Sequence, residues 1–491
     1  MALPTALYSA AQVRQLDALA IARGTAGYTL MKRAGEAALR HLRARWPTSH
    51  RIAILCGGGN NGGDGYVLAR FAQAAGLSVS VIAVTDPRGL KGDAARAFQD
   101  FRASGGSTHP LDTQVLRDAQ VVVDAILGTG ARGALRPDAA AVIRVINTAG
   151  RPVFALDIPS GLDSDSGQGL GEVVSADATV TFVGLKTGLL LGEGPEKTGL
   201  LYFDDLGISV PDEAAFTPVL ERITDACVHQ ALPRRPRQSH KGDFGRVLIV
   251  GGGAGMPGAA RLAGEACLRV GAGLVTVATA PQNVAAIVAG RPELICLPVQ
   301  DAADLVPALE HADVVAIGPG LGRTPWAQSL VDAVLASNRP LVVDADALNL
   351  VAARGGPRRG NWILTPHPGE AARLLGTDTA TVQQDRRAAH AGLLARYGGT
   401  VVLKGAGTLV GGEGEVPGIC ERGNPGMASA GMGDVLTGAV AGVLAQCDHP
   451  GLAARAAVMV HAMAGDIAAR AGERGLVASD VARELQACVN L

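Results

Sequence analysis

Two Gly-rich clusters set amides and carboxylates among glycines. They are Gly57-Gly58-Gly59-Asn60-Asn61-Gly62-Gly63-Asp64-Gly65 and Ala430-Gly431-Met432-Gly433-Asp434. Glycines before a helix let backbone N–H groups and the positive helix end meet phosphate oxygens. The first cluster satisfies the dinucleotide fingerprint Gly-x-Gly-x-x-Gly, with Asp86 placed to meet a ribose. The spacing alone is weak, since in a chain with 66 glycines Gly253-x-Gly255-x-x-Gly258 fits it too. Asn60, Asn61 and Asp64 say more, because a phosphate turn requires no such groups. A carboxylate at a helix start competes with a bound phosphate, so Asp64 is expected to bond backbone amides or ligand hydroxyls. No Lys-Ser or Lys-Thr pair closes the loop, which argues against ATP hydrolysis there. In the second cluster, Asp434 beside Gly433 is placed to take a proton from an attacking hydroxyl, the logic of phosphoryl transfer.

Other reactive types follow apolar runs. Asp124, Asp157 and Ser160 each come just after such a run, as do Lys186, Lys404 and His367. Residues 344–349 offer two carboxylates and an amide, but read equally as a helix N-cap and stay outside the catalytic set. The seven cysteines are scattered, odd in number and never spaced C-x-x-C, so neither a disulfide framework nor a zinc site is expected.

Positioning these groups requires strands that end in loops. Strand-like runs at 52–56, 79–84, 121–125, 153–156 and 178–183 alternate with Ala/Leu-rich amphipathic stretches, which predicts parallel strands joined by helices. Asn61, Asp124, Asp157 and Ser160 then converge outside the strands' carboxyl ends. The rhythm breaks across 211–238, which is rich in proline and carries Arg234-Arg235-Pro236-Arg237. It restarts with runs at 246–250, 274–279, 314–317, 341–343, 362–364 and 400–403. A chain of 491 residues exceeds one core. The expectation is a first domain at 1–215, a linker at 216–238 and a second domain at 239–491. Acidic (45) and basic (44) side chains balance without long blocks, which disfavours nucleic-acid or membrane-surface partners. No basic-then-apolar leader and no uncharged membrane-length apolar run is evident, so a cytoplasmic protein acting on small molecules is expected.

Residues 57–65, Val123-Asp124-Ala125-Ile126-Leu127-Gly128-Thr129-Gly130 and Asp157-Ile158-Pro159-Ser160-Gly161-Leu162 together resemble the epimerase domain of the NAD(P)H-hydrate repair system. The resemblance implies a Rossmann-like three-layer α/β domain acting on NADH or NADPH hydrated at the nicotinamide ring. It implies a potassium ion held by Asn61, Asp124 and Ser160. Contacts to the hydrated dinucleotide would come from Asn60, Asn61, Gly62, Gly63 and Asp64, from Gly128, Thr129, Gly130, Ala131, Arg132, Gly133 and Ala134, and from Asp157. Epimerisation breaks and remakes a bond beside the ring nitrogen, which asks for a group that gives and takes a proton: Asp157 first, Lys186 second.

His240-Lys241-Gly242-Asp243-Phe244-Gly245, 318–322, Thr365-Pro366-His367-Pro368-Gly369-Glu370, 404–408, Asn424-Pro425-Gly426-Met427-Ala428 and 431–434 follow the order of the ADP-dependent NAD(P)H-hydrate dehydratase, a ribokinase-like α/β family. That resemblance implies adenine-nucleotide contacts from Lys404, Gly405, Ala406, Gly407, Thr408 and Gly433. Ala259, Gly320, His367 and Asp434 would contact the hydrated dinucleotide, with Asp434 catalytic. ADP is the implied co-substrate, magnesium a helper and a homo-oligomer the assembly. An oxidoreductase fused to a small-molecule kinase is the competing class, distinguished by consumption of undamaged NADH with a carbonyl substrate. A non-catalytic nucleotide sensor is a third, which an activity assay separates.

Overall fold

The computed structural model describes residues 3–490, and the chain divides into two compact units, residues 1–220 and 221–491. In the first, β1 (Arg51–Cys56), β2 (Ser78–Ala83), β3 (Thr108–His109), β4 (Val121–Ala125), β5 (Val153–Leu156), β6 (Ala178–Phe182) and β7 (Leu200–Asp204) form one sheet in the order β3-β2-β1-β4-β5-β6-β7. Every neighbouring pair is parallel. Strands buried on both faces read as continuous apolar runs, as Val153–Leu156 does, while Val121–Ala125 is apolar but for Asp124. Along β1, Ile52 and Ile54 pack in one core with Tyr66 and Leu68, while Ala53 and Leu55 pack in another with Leu116 and Ile143. Period-two alternation thus puts a helical layer on each face.

The winding reverses between β1 and β4, opening a crevice beyond their carboxyl ends. Helix α1 (Asn60–Ala74) starts there, directly after β1. Two glycines permit this close approach. A Cβ on Gly62 would lie 2.0 Å from the Gly57 carbonyl oxygen, and one on Gly65 2.7 Å from the Ala125 Cβ.

The second unit holds β8 (Arg246–Val250), β9 (Leu274–Thr279), β10 (Ile295–Pro298), β11 (Val314–Ile317), β12 (Leu341–Val343), β13 (Trp362–Leu364), β14 (Thr400–Leu403), β15 (Thr408–Gly412) and β16 (Gly418–Cys420), ordered β10-β9-β8-β11-β12-β13-β14-β15-β16. Pairing is parallel as far as β14 and antiparallel in the last two pairs. The expectation of parallel strands fails in these two pairs. Gly405 (φ 133°) and Gly407 (φ 67°) take backbone conformations that L side chains resist, so the chain doubles back and Thr408 opens a strand. Helices α2 (Pro257–Arg269), α3 (Ala345–Arg354), α4 (Pro368–Leu375), α5 (Met432–Leu444) and α6 (Pro450–Ala468) accompany this sheet.

Helix α6, with its short extension to Ala471, is long and apolar enough to cross a membrane by length and composition, but 67% of its apolar window is buried inside the protein. It carries Arg455 and Asp466 and packs into the core through Ala453, Ala457 and Val460. All seven cysteines are free.

Candidate active sites

In the first unit, the first turn of α1, the end of β4 and the loop after β5 bring Asn61, Asp124, Asp157 and Ser160 into the crevice; Asp124 lies within β4 rather than after it. Asp124 and Ser160 are fully buried. Ser160 donates to Asp124 Oδ1 from its hydroxyl (2.6 Å) and to Oδ2 from its backbone (2.8 Å), and the Ile126 N–H donates to Oδ1 (3.1 Å). Burial still pushes this carboxyl up to about 6, because none of these partners is a cation. Asn61 is 6% exposed, and among the described residues neither its Nδ2 nor its Oδ1 has a hydrogen-bond partner. An orphaned amide oxygen and an uncompensated carboxylate are hard oxygen donors that fit a monovalent cation.

Asp157 occupies the left-handed region at φ 66°, and Val183, just past the next strand, does so at φ 67°. Such residues cost about 1–3 kcal/mol each and persist where packing over-determines them. Between them lies a buried ion pair. Lys186, 1% exposed, donates to Asp157 Oδ1, to the Thr181 hydroxyl (2.9 Å) and to the Phe182 carbonyl (2.8 Å). Asp157 Oδ2 accepts from the Thr129 N–H (2.9 Å) and from its hydroxyl. Burial alone would raise Asp157, but the Lys186 ammonium and these hydrogen bonds hold it below the usual carboxylate range. A Cβ on Gly128 would lie 2.9 Å from Asp157 Oδ2 and 3.2 Å from the Asn61 Cβ, so the cation donors and the ion pair share one floor. Gly130, Arg132, Gly133 and Ala134 are exposed and Ala131 half-buried at its rim.

Among the described residues Asp64 makes no hydrogen bond to a backbone amide, because it lies past the first turn of α1, beyond the unpaired N–H groups of the helix start; of its two expected roles, the amide contact is not found. Burial, with Asp157 and Asp17 nearby, pushes its carboxyl well up. Asp17 is itself pushed to about 6 by burial, Lys186 opposing and Asp157 adding. Sequence reading passed over Asp17, which sits on a separate helix (Ala10–Ala22) with no motif to mark it. Asp86 caps a short turn and pairs with Arg88 at the surface, so it takes no part in this crevice.

In the second unit, Gly431 in the left-handed conformation (φ 88°) caps α5, which puts Gly433 and Asp434 in its first turn rather than ahead of it. Lys404, following β14, donates to Asp344 Oδ1 at 2.7 Å, and the Thr437 hydroxyl of α5 donates to Asp344 Oδ2 at 2.6 Å. A Cβ on Gly433 would lie 3.3 Å from Lys404 Nζ, so ammonium and helix start face each other. Burial would lower Lys404, but Asp344 and Glu370 raise it. Asp434 is pushed up to about 6 by burial and then by Asp344, with Lys404 opposing.

His367 caps α4, its Nδ1 accepting from the Gly369 N–H (3.0 Å) while Glu370 Oε2 accepts from the His367 N–H (2.8 Å). Burial, with Lys404 and Arg373 near, lowers the imidazole, so it is neutral near pH 7. Glu370 Oε2 lies 3.9 Å from Lys404 Nζ, and burial pushes this carboxyl to about 7. The 318–322 loop joins them: a Cβ on Gly318 would lie 1.9 Å from the Asp344 carbonyl oxygen, and one on Gly320 2.9 Å from the Ala259 Cβ. Ala259, Gly320, His367, Lys404 and Gly433 therefore gather around Asp344 at the carboxyl ends of the strands, whereas the selected segment 240–245 precedes β8 at the other end of the sheet. Asp344, set aside as a helix cap, is the hub, and it does start α3 without a side-chain capping bond. Arg386 was missed too. It is buried in a helix (Arg386–Tyr397) and braces the 404–408 loop through the carbonyls of Leu403 and Lys404, both at 3.1 Å. Among the described residues no group of three or more His, Cys, Asp or Glu is placed to hold a metal alone.

Comparison with known proteins agrees with this two-site layout. Residues 27–188 match the family described as YjeF-related protein N-terminus, and residues 247–487 the family described as NAD(P)H-hydrate dehydratase. The bifunctional NAD(P)H-hydrate repair enzyme Nnr of Coxiella burnetii is 47% identical over 99% of this chain and 100% of its own length. The chain belongs to the bifunctional NAD(P)H-hydrate repair enzyme family. Its Escherichia coli relative of the same name is 44% identical over 94% of this chain and 90% of that one. Among solved structures of the family, the ADP/ATP-dependent NAD(P)H-hydrate dehydratase of Bacillus subtilis, co-crystallized with ATP/Mg2+, is 32% identical. It covers 54% of this chain and 96% of its own, with a TM-score of 0.50.

Proposed function

We propose that the first unit interconverts the R and S forms of hydrated NADH or NADPH and that the second dehydrates the S form with ADP, giving AMP and phosphate and restoring the dihydronicotinamide. The observation that carries this reading is the pair of separate polar rims, one built around Asp157–Lys186 and the other around Asp434, Lys404 and Asp344. In the first, the Asp157 carboxylate takes the proton of the ring hydroxyl. The O–H electron pair becomes a carbonyl as the adjoining C–N bond breaks and the nitrogen takes up a proton, and reclosure on the other face reverses each transfer. Lys186 and Thr129 keep Asp157 ionised and aimed. Asn61, Asp124 and Ser160 would hold a potassium ion, which when bound supplies positive charge beside Asp124, a carboxylate with no cationic partner among the described residues.

In the second site Asp434 takes the hydroxyl proton as the oxygen bonds the β-phosphoryl of ADP and AMP departs. The C–O bond then breaks, phosphate leaves with the bonding pair, and the neighbouring ring carbon loses a proton to form the double bond. Lys404 and the N–H groups at the start of α5 face the charge that develops on phosphate. Magnesium would need phosphate oxygens to complete its shell, as is usual for that ion. Residues 405–408 contact the adenine nucleotide, and Ala259, Gly320 and His367 the hydrated dinucleotide. We further infer a cytoplasmic homo-oligomer, which light scattering of the purified protein checks.

Separability is the test. Asp434→Asn is expected to abolish ADP-dependent recovery of NADH while R/S interconversion, followed by chromatography, continues; loss of both activities would contradict independent sites.

A further inference from the structure

The basic stretch Arg234-Arg235-Pro236-Arg237 has no part in either reaction, yet two of its arginines border a cavity of about 990 Å³ within the second unit. The cavity lies at the amino ends of three adjacent parallel strands: Phe244 precedes β8, Gly271 precedes β9 and Arg291 precedes β10. The Asp434 site occupies the carboxyl ends of the same sheet, so the two lie on opposite rims.

Its charge is unbalanced toward positive. Arg234, Arg235, Arg269 and Arg291 face Asp243, Glu265 and Glu293. Asp243 is engaged by His240 at 3.1 Å, Glu265 is shared between Arg291 and Arg269, and Arg291 also meets Glu293 at 3.7 Å, which leaves Arg234 and Arg235 as the arginines without a carboxylate partner among the described residues. Arg235 meets no carboxylate among the described residues. Its Nη2 donates to the Gly271 carbonyl and to Gln446 Oε1 (2.6 Å), and its guanidinium lies 3.6 Å from the centre of the Phe244 ring. Those contacts hold the cation in place without neutralising it. Burial accordingly pulls Arg235 below its usual basicity. Arg234 has no ion pair among the described residues, whereas the two terminal nitrogens of Arg291 are held by Glu265 and Glu293.

We propose that this cavity is a further small-molecule site of the second unit, taking an oxyanion-bearing ligand on Arg234 and Arg235. Guanidinium forks match phosphate and carboxylate oxygens two at a time. The volume is near the upper end of small-molecule pockets, roughly 300–1,000 Å³, so the ligand is of nucleotide size rather than a lone ion.

The test uses the full chain with its catalytic nucleotide site saturated by AMP. Inorganic pyrophosphate and citrate are titrated separately by calorimetry, and amide hydrogen exchange maps the protected segments. Saturable binding is expected for at least one anion, with protection at 234–244 and 271–273. Pyrophosphate alone binding identifies a phosphorylated ligand, citrate alone a polycarboxylate. Arg234→Glu, at an exposed position, is expected to weaken binding at least about tenfold while keeping the wild-type melting midpoint. Absence of saturable binding by both anions, protection confined to 404–408, or unchanged affinity in Arg234→Glu would each overturn the proposal.

Discussion

At the scale of single residues, the two sites place their carboxylates in opposite environments. Asp157 is held ionised by Lys186, whereas burial pushes Asp434 to about 6. A base with that value loses its charge as pH falls through about 6, so the dehydratase kcat is expected to drop in that range; a pH profile flat down to 5 would count against Asp434 as the base. The same shift has a stability consequence of fixed sign. Below the unfolded value near 4, both states are protonated; from there to about 6 only the unfolded state ionises, so stability falls as pH rises through this window. Asp434→Asn is therefore expected to melt higher than wild type at pH 7, the difference vanishing near pH 4, as calorimetry in both buffers would report. The sequence singled out Asp434, Lys404 and His367 as candidates because each sits in a motif. Asp344 and Asp17 escaped because one resembled a helix cap and the other lies outside every Gly-rich loop, and only the folded chain brings them beside their partners.

At the scale of elements, strands flanked by polar loops were legible almost to the residue: 121–125, 153–156, 246–250 and 314–317 coincide with observed strands. Short, mostly apolar runs bounded by polar or Gly-rich loops leave little ambiguity when both sheet faces are buried. The hairpin of β15 and β16 was not legible, because a reading built on strand–helix alternation has no place for a reversal. Nor does alternation reveal how close two helices come. On α5, a Cβ at Gly438 would lie 1.9 Å from the Ala263 carbonyl of α2. Gly438→Ala is thus expected to destabilise the second unit by about 1–3 kcal/mol and to reduce dehydration, since α5 carries Gly433 and Asp434. Epimerisation should persist. A denaturant titration followed by the two assays checks both parts, and an unchanged midpoint would contradict the packing argument.

At the scale of the whole molecule, two units with separate cores and separate rims make a division of labour physically reasonable. If only one epimer is dehydrated, a fused epimerase feeds it from the other. The cation-fitting floor of Asn61, Asp124 and Ser160 belongs to the first unit alone, and a ligand that binds only the folded state raises its stability. Replacing potassium by choline is expected to lower the first unit's thermal transition and slow epimerisation while dehydration of the pure S form continues unchanged. Equal loss in both units would refute a site-specific ion. The most direct test of the account gives purified Asp157→Asn a mixture of R and S hydrates with excess ADP and follows the returning nicotinamide absorbance. The account predicts that the S fraction is restored at the wild-type rate and the R fraction is stranded; complete recovery at the wild-type rate would contradict it.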